Sequence, residues 1–180
     1  MKTYDCIFLD RDGTLNPDPG YINKIENFVF YDFAIRSLKK IAKIGNRFCI
    51  ITNQSGIARG VIKKEALEEI HDFVRNEFER NSIELLGILT CTDLPSNPTD
   101  RRKPGPGMFF EAKIKYNLSL TNCLMIGDSI CDIKAGANLG MDTMLVMTGN
   151  GKETLKLIKR SYQPNYIADN LYDGALQLCR

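Results

Sequence analysis

The apolar run from Cys6 to Leu9 stops at two carboxylates, Asp10 and Asp12. Because the run has no helical periodicity and is followed by Gly13, it is typical of a strand that is covered on both faces, as in a parallel sheet. In an extended segment the side chains of residues 10 and 12 would point the same way. Two close carboxylates repel each other unless a cation lies between them. The stretch therefore indicates either a strand that delivers an acidic pair to a site or a plain polar turn at Asp12-Gly13.

The rest of the chain alternates apolar strand-like runs with amphipathic stretches. Strands are predicted over 47–52, 85–91, 123–126 and 143–147, with a short edge strand at 166–168. Helices are predicted over 33–44, 63–80, 106–116 and 152–160, with another after Ser129 that ends near Leu139. A small flap or hairpin is expected where residues 28–31 meet residues 14–17. This order predicts an α/β fold with a doubly wound parallel sheet, in a single domain over residues 1–180.

Polar residues follow several of these strands, as they follow the first. Thr52 ends the second strand, Lys103 lies in the loop after the third, and Asp128 and Asp132 follow the fourth. In a parallel sheet the carboxyl ends of strands face one crevice, where ligands bind. We therefore expect these side chains to meet Asp10 and Asp12 although they span most of the sequence.

Composition narrows the choice of partners and compartment. The net charge is +2, and the densest positive cluster is only Arg101-Arg102-Lys103, so no nucleic-acid partner is expected. No apolar stretch has the length of a signal peptide or a membrane span. The six cysteines contain no Cys-x-x-Cys pair and are expected to be reduced thiols. These features predict a cytoplasmic protein that has no membrane partner. A monomer is expected, although none of these features sets the oligomeric state.

The residue types at the strand ends favour phosphate chemistry. Carboxylates without a histidine form an oxygen-only site, which suits Mg²⁺ rather than zinc or copper. A lysine, a threonine hydroxyl and the backbone amides of Asn53 and Gln54 would bind phosphoryl oxygens. The only histidine, His71, falls in the apolar stripe of the second helix and is predicted to be a packed core residue outside the site.

Four motifs, in order, resemble those of the haloacid dehalogenase-like phosphatases and, within them, the D,D-heptose 1,7-bisphosphate phosphatases. They are Asp10-Arg-Asp-Gly-Thr14, Thr52-Asn-Gln-Ser-Gly-Ile-Ala-Arg-Gly60, Arg102-Lys-Pro104 and Gly127-Asp-Ser-Ile-Cys-Asp132. The resemblance covers most of the chain and implies a Rossmann-like fold without a large inserted cap domain.

The resemblance also implies catalytic roles. Asp10 would attack phosphorus to form an aspartyl-phosphate, and Asp12 would protonate the leaving oxygen and then deprotonate water. Thr52 and Lys103 would steady the phosphoryl group. Mg²⁺ would be held by the Asp10 carboxylate, the Asp12 carbonyl and the Asp128 carboxylate, while Asp132 would orient Lys103 or a metal-bound water.

By the same resemblance the substrate is a small sugar phosphate, D-glycero-D-manno-heptose 1,7-bisphosphate, from which the 7-phosphate is removed. Arg59 would hold the second phosphate in a bidentate fork, unless it is simply a solvated loop arginine. The other residues expected to bind substrate are Asp18, Pro19, Gly20, Tyr21, Asn53, Gln54, Ser55 and Arg102.

One departure from the family concerns a structural zinc that many relatives carry before Arg-Lys-Pro, held by Cys-x-His and Cys-x-Cys. The corresponding positions here are Cys91-x-Asp93 and Thr99-x-Arg101. Only one usual ligand remains, so the loop is predicted to be zinc-free.

Three other functions compete with this interpretation. Histidinol-phosphate phosphatases share Asp-x-Asp-Gly-Thr and Thr-Asn-Gln, but the continuation from Ser55 to Gly60 resembles the heptose enzymes better. A polynucleotide phosphatase would need a basic groove. A phospho-acceptor signalling domain combines similar residue types, but its acceptor is expected on a middle strand, and here the third strand ends at Cys91 without an aspartate.

Overall fold

The computed structural model describes residues 2–180, and within them six parallel strands form one sheet. The bounds of the strands are β1 Cys6–Leu9, β2 Phe48–Asn53, β3 Leu85–Cys91, β4 Cys123–Gly127, β5 Asp142–Val146 and β6 Tyr166–Ala168. Their order across the sheet is β3-β2-β1-β4-β5-β6, and every neighbouring pair is parallel. The predicted α/β fold with a parallel sheet is confirmed.

Helices cover both faces of the sheet. Their bounds are α1 Ala34–Ile41, α2 Lys64–Arg80, α3 Gly107–Tyr116, α4 Ile130–Asn138, α5 Gly151–Leu157 and α6 Leu171–Leu178. Residues of α1, α2 and α6 contribute to the core on one face, and residues of α3 and α4 contribute on the other. None of the helices in the described part of the chain is long and apolar enough to cross a membrane.

Strand β1 is buried because its side chains alternate between the two cores. Ile7 and Leu9 belong to the cluster that includes α1, α2 and α6, whereas Cys6 and Phe8 belong to the cluster that includes α3. All four side chains are completely buried. This double burial explains why the strand is an unbroken apolar run rather than an alternating one.

The position of the crevice follows from the strand order. The chain runs outward from β1 through β2 to β3 and then returns to β4 on the other side of β1. The direction of winding therefore changes between β1 and β4, where doubly wound sheets bind ligands beyond the carboxyl ends of their strands. The amide of Asp10 donates to the carbonyl of Ile126 at 2.9 Å, which ties the two strand ends together.

The segment after β1 corrects one expectation. The strand ends at Leu9, and the amides of Thr14 and Leu15 both donate to the carbonyl of Arg11. Residues 10–12 are therefore the start of a tight turn and not a continuation of the strand. Asp10 and Asp12 consequently have different hydrogen-bond partners, although they are only two positions apart.

Other predicted elements also differ from the structure. The expected meeting of residues 28–31 with residues 14–17 is present, because the amide of Tyr31 donates to the carbonyl of Leu15 at 2.9 Å. Residues 28–31 form no strand, however: they follow a 3₁₀ turn at Ile25–Asn27, and Phe28 is buried in the core. The last predicted helix is shorter than expected, since α5 ends at Leu157. Helix α6 was not predicted.

The packing of α3 on the sheet gives a test of the core. The rings of Phe8 and Phe109 meet edge to face at 5.1 Å, and both are fully buried. We expect Phe109→Ala to lower the free energy of unfolding by about 3–5 kcal/mol, because it leaves a cavity between α3 and β1. Urea denaturation without metal measures this change. Ile114→Ala, at an 83% exposed position of the same helix, should change it by less than about 0.5 kcal/mol. Equal effects of the two substitutions would contradict this packing.

Candidate active site

A cavity of about 430 Å³ opens at the carboxyl ends of the strands. Most of the side chains predicted for the site line it. The lining residues are Asp10, Asp12, Asp18, Gly20, Tyr21, Thr52, Asn53, Gln54, Ser55, Gly56, Arg102, Lys103, Asp128, Ser129, Cys131 and Asn150.

Lys103 is the buried cation of the site. Its Nζ lies 2.9 Å from Oδ1 of Asp10 and 2.6 Å from Oδ1 of Asp132, and it donates to the carbonyl of Ile51 at 2.7 Å. Its side chain is 1% exposed. An ammonium group that is removed from water needs such partners, so these contacts fix Lys103 at the floor of the cavity.

The charges around Lys103 shift one another's protonation. Burial, followed by the charge of Asp132, raises the pKa of Asp10 to about 7 even though Lys103 opposes the shift. Burial, followed by the charge of Asp10, raises the pKa of Asp128 to about 7. Burial alone would lower the pKa of Lys103, but Asp10 and Asp132 outweigh it and raise that pKa. The cluster therefore has an excess of negative charge that its own lysine does not compensate.

The donor set fits a divalent cation. Carboxylate oxygens of Asp10, Asp128 and Asp132 lie within 4.8 Å of one another. When all are ionised, three carboxylates and the ammonium of Lys103 leave two negative charges, the amount that one divalent cation balances. Oxygen ligands of this type suit Mg²⁺.

Asp132 differs from Asp10 and Asp128 because neither of its carboxylate oxygens is free to bind a ligand. Both oxygens of Asp132 have partners: Oδ1 contacts Lys103, and Oδ2 accepts from the amide of Ser129 at 3.0 Å in the capping box that begins α4. Oδ2 of Asp10 and Oδ1 of Asp128 have no hydrogen-bond donor among residues 2–180. These two oxygens are therefore free to bind a metal or to react.

Two glycines make room for Asp128. A Cβ atom at Gly13 or at Gly149 would collide with Oδ2 of Asp128, and both residues have positive φ. The same oxygen accepts hydrogen bonds from the amide of Asn150 at 2.7 Å and from its side chain at 3.3 Å. Backbone thus approaches the carboxylate so closely that only glycine fits, which fixes the direction of the other oxygen.

Asp12 has a separate set of partners. Its two oxygens accept from Nε and Nη2 of Arg11 at 3.1 and 2.8 Å, from Asn16 at 2.9 Å and from Gln54 at 2.6 Å. Burial would raise the pKa of Asp12, but the charge of Arg11 and these donors outweigh it and lower that pKa. Asp12 is therefore stabilised as an anion, whereas the neighbouring cluster disfavours the ionised form of Asp10.

Residues at the end of β2 form hydrogen bonds both with Asp12 and with the backbone of Lys103. Nε2 of Gln54 donates to Oγ1 of Thr52 at 2.9 Å as well as to Asp12. The side chain of Asn53 accepts from the amide of Lys103 at 3.1 Å and donates to its carbonyl at 3.2 Å, which anchors the loop after β3. The predicted convergence of Thr52 and Lys103 with the acidic residues is therefore present in the structure.

Two predicted substrate contacts do not line the cavity. Pro19 and Arg59 are both exposed and lie outside its lining, whereas Asp18, Gly20, Tyr21 and Arg102 contribute to it. Arg102 is held by a hydrogen bond from Nη1 to the carbonyl of Asp93 at 2.9 Å. The cavity therefore gives no support to a contact between Arg59 and a second phosphate.

Some residues of the site were not predicted from sequence. Arg11 pairs with Asp12, and Asn150 fixes Asp128. The other additional lining residues are Gly56, Ser129 and Cys131. Asn150 follows Thr148-Gly149 at the end of the fifth strand, so its place after a strand was the one available signal.

Comparison with known proteins places this geometry in a family. A family model described as HAD-hydrolase-like matches residues 100–174. A D-glycero-alpha-D-manno-heptose-1,7-bisphosphate 7-phosphatase of Photorhabdus laumondii is 36% identical over 151 residues, which cover 79% of this chain and 82% of the relative. A D-glycero-D-manno-heptose-1,7-bisphosphate 7-phosphatase of Chlorobaculum tepidum is 31% identical, and the match covers 97% of this chain and 94% of the relative. The chain belongs to the haloacid dehalogenase-like heptose-bisphosphate phosphatase family.

The fold of this phosphatase agrees with a solved structure of the same family. The D,D-heptose 1,7-bisphosphate phosphatase of B. bronchiseptica, complexed with magnesium and phosphate, has a TM-score of 0.86 and 28% identity, with 97% of each chain covered. Because almost all of both chains superimposes, neither contains a large cap domain that the other lacks. Recognition of substrate must therefore come from the loops around the cavity.

The glycines beside Asp128 give a test of the metal site. We expect Gly149→Ala to weaken Mg²⁺ binding by about tenfold or more, because the added methyl group displaces a carboxylate that faces the cavity. Isothermal titration with Mg²⁺ measures the dissociation constant. Gly140→Ala is the matched control, since Gly140 also has positive φ but its added Cβ meets only Thr121. If both variants bind Mg²⁺ equally, the inference that Gly149 fixes the Asp128 carboxylate for metal binding is wrong.

Proposed function

We propose that this phosphatase removes the 7-phosphate from D-glycero-D-manno-heptose 1,7-bisphosphate in a magnesium-dependent reaction. The observation that carries the proposal is the unpaired Oδ2 of Asp10 beside buried Lys103, in a chain whose relatives are named as 7-phosphatases of this sugar. Asp10 is thus available as a nucleophile, and Lys103 is placed to attract a phosphoryl group.

The metal-binding residues would be Asp10 and Asp128 through their carboxylates and Asp12 through its backbone carbonyl. The free oxygens of Asp10 and Asp128 support this assignment. Asp132 would stay outside the ligand set, because its two oxygens already contact Lys103 and the start of α4. Mg²⁺ would neutralise the excess negative charge of the cluster and of the phosphate.

In the first step Oδ2 of Asp10 attacks phosphorus, and the bond from phosphorus to the sugar oxygen breaks. The electron pair of that bond goes to the sugar oxygen, which takes a proton from Asp12. Because Asp12 is ionised in the free enzyme, it would first take that proton from the monoanion of the phosphate ester as the substrate binds.

The hydroxyl of Thr52 binds a phosphoryl oxygen. Lys103, whose Nζ already contacts Asp10, Asp132 and the carbonyl of Ile51, attracts the phosphoryl group through its charge. Since Oγ1 of Thr52 accepts from Gln54, its own proton remains available to donate to the substrate.

In the second step Asp12 takes a proton from water, whose oxygen attacks phosphorus. The bond from phosphorus to Asp10 then breaks, which releases phosphate and restores the Asp10 carboxylate. The donors around Asp12 stabilise its ionised form, as a general base requires.

The sugar would be recognised by the loops at the mouth of the cavity. Asp18, Gly20, Tyr21 and Arg102 line this region, and Asn53, Gln54 and Ser55 line the side where phosphate would bind. Pro19 would act through the shape of its loop. Arg59 could reach a second phosphate only if its loop moved, because it is exposed outside the cavity.

The loop before Lys103 would hold its shape without zinc. Oδ2 of Asp93 accepts from the amide and the hydroxyl of Thr99 at 2.8 and 2.6 Å. These residues occupy two of the positions at which many relatives have zinc ligands, so hydrogen bonds would take the place of the metal. The residues proposed for catalysis meet at one edge of a single sheet, and we propose that the chain acts as one domain and as a monomer.

Phosphate release from a substrate panel tests the function. The panel contains both anomers of heptose 1,7-bisphosphate, because relatives are named for each anomer, together with histidinol phosphate and a 5′-phosphorylated oligonucleotide. We expect one phosphate per heptose bisphosphate, a heptose 1-phosphate product by ³¹P NMR, and no turnover without Mg²⁺. Asp10→Asn should lower kcat at least about a thousandfold.

The control for that variant is Asp72→Asn, which changes an exposed carboxylate on α2 and should leave kcat unchanged. Faster turnover of histidinol phosphate than of either heptose anomer would overturn the substrate. Wild-type turnover by Asp10→Asn would overturn the nucleophile.

A further inference from the structure

Arg11 is a charged side chain that is completely buried beside the site. It is among the largest fully buried side chains of the described chain. Its Nε and Nη2 form the two-point ion pair with Asp12, and the ring of Phe28 lies 5.7 Å from the centre of its guanidinium group. A buried guanidinium requires partners for its remaining N–H groups as well, since an unpaired polar group is costly away from water.

His71 is the partner on the third side of this guanidinium. Its Nε2 lies 3.4 Å from Nη1 of Arg11, and the ring is buried in the middle of α2. Arginine can only donate hydrogen bonds, so Nε2 must be the unprotonated nitrogen that accepts. Burial, followed by the charge of Arg11, lowers the pKa of His71 to about 3, which agrees with a neutral ring. The prediction of a packed histidine is confirmed, but this histidine also contacts the partner of Asp12.

The remaining donors to Asp12 come from loops. Asn16 lies in the turn after β1, and Gln54 follows the end of β2. Among these donors, Arg11 is the one whose side chain also hydrogen-bonds to a helix of the core, because His71 lies on α2 between the buried residues Ile70 and Val74. Arg11 thus links the orientation of the Asp12 carboxylate to helix α2.

We propose that His71 is a positioning residue for proton transfer, which fixes Arg11 and thereby aims the Asp12 carboxylate at the leaving oxygen. This role rests on the proposed phosphatase function and on Asp12 as its acid and base. His71 itself touches neither substrate nor metal. Without its acceptor, Nη1 of Arg11 loses its partner, so the guanidinium shifts and Asp12 shifts with it.

The identity of the leaving group separates this role from a general loss of structure. A sugar oxygen needs the proton of Asp12 as its bond to phosphorus breaks, whereas a p-nitrophenolate leaves without one. Damage to the nucleophile, the metal site or the fold slows both substrates alike. The rate to measure is single-turnover release of the leaving group, because hydrolysis of the aspartyl-phosphate is common to both substrates.

The test compares His71→Leu with His71→Gln. We expect His71→Leu to slow single-turnover release of heptose 1-phosphate by about tenfold or more and that of p-nitrophenolate by less than about twofold, while KM for heptose bisphosphate, measured separately at steady state, stays within about twofold. His71→Gln restores an acceptor oxygen and should recover most of the sugar rate. Val74→Ala is the control for lost packing on the same helix face, and it should not change the ratio of the two rates.

Equal slowing of both substrates by His71→Leu, no slowing, or no recovery in His71→Gln would overturn the proposal. If His71→Leu does not fold, as judged by circular dichroism, His71→Met replaces it and the same outcomes apply. If the wild-type chain fails to hydrolyse heptose bisphosphate while it hydrolyses p-nitrophenyl phosphate, the proposed substrate fails. A panel of alkyl phosphates then supplies the slow leaving group for the same comparison.

Discussion

The ion pairs of buried Lys103 with Asp10 and Asp132 are the interaction on which the rest of the site depends. They place an ammonium where a phosphoryl group would bind, at the floor of a cavity formed by strand ends. They also leave the cluster with excess negative charge, because Asp128 lies within the same small volume. A magnesium site and a phosphate site thus arise from the same charge imbalance.

The turn after β1 gives two neighbouring carboxylates different chemistry. Asp10 belongs to the lysine cluster and keeps one free oxygen, while Asp12 is surrounded by Arg11, Asn16 and Gln54. Burial dominates the pKa of Asp10 and raises it, whereas Arg11 lowers the pKa of Asp12. A divalent cation beside Asp10 would favour its ionised form, as a nucleophile requires, whereas Asp12 is stabilised as the anion that the general base of the second step needs.

Most of the sheet and its acidic edge could be predicted from sequence, because an unbroken apolar run that ends in polar residues is a local signal of a buried parallel strand. The role of Arg11 could not, since its burial depends on a contact with His71, 60 positions away. The aromatic run at residues 28–31 favoured a hairpin, but it forms no strand, and the ring of Phe28 packs in the core against Phe30 and Phe73. Helix α6 did have a signal, the N-cap Asn170 followed by Leu171, Ala175 and Leu178 on one face.

Chemical trapping of the phosphorylated residue tests the division of roles most directly. Borohydride reduces an aspartyl-phosphate to homoserine, with release of phosphate, and mass spectrometry of peptides locates the change. The account predicts homoserine at position 10 when the enzyme is quenched during turnover. It predicts more homoserine in Asp12→Asn with p-nitrophenyl phosphate, because that leaving group needs no proton from Asp12 while hydrolysis of the intermediate loses its general base. Homoserine at position 12 or 128, or none at position 10 while phosphate is released, would contradict the account.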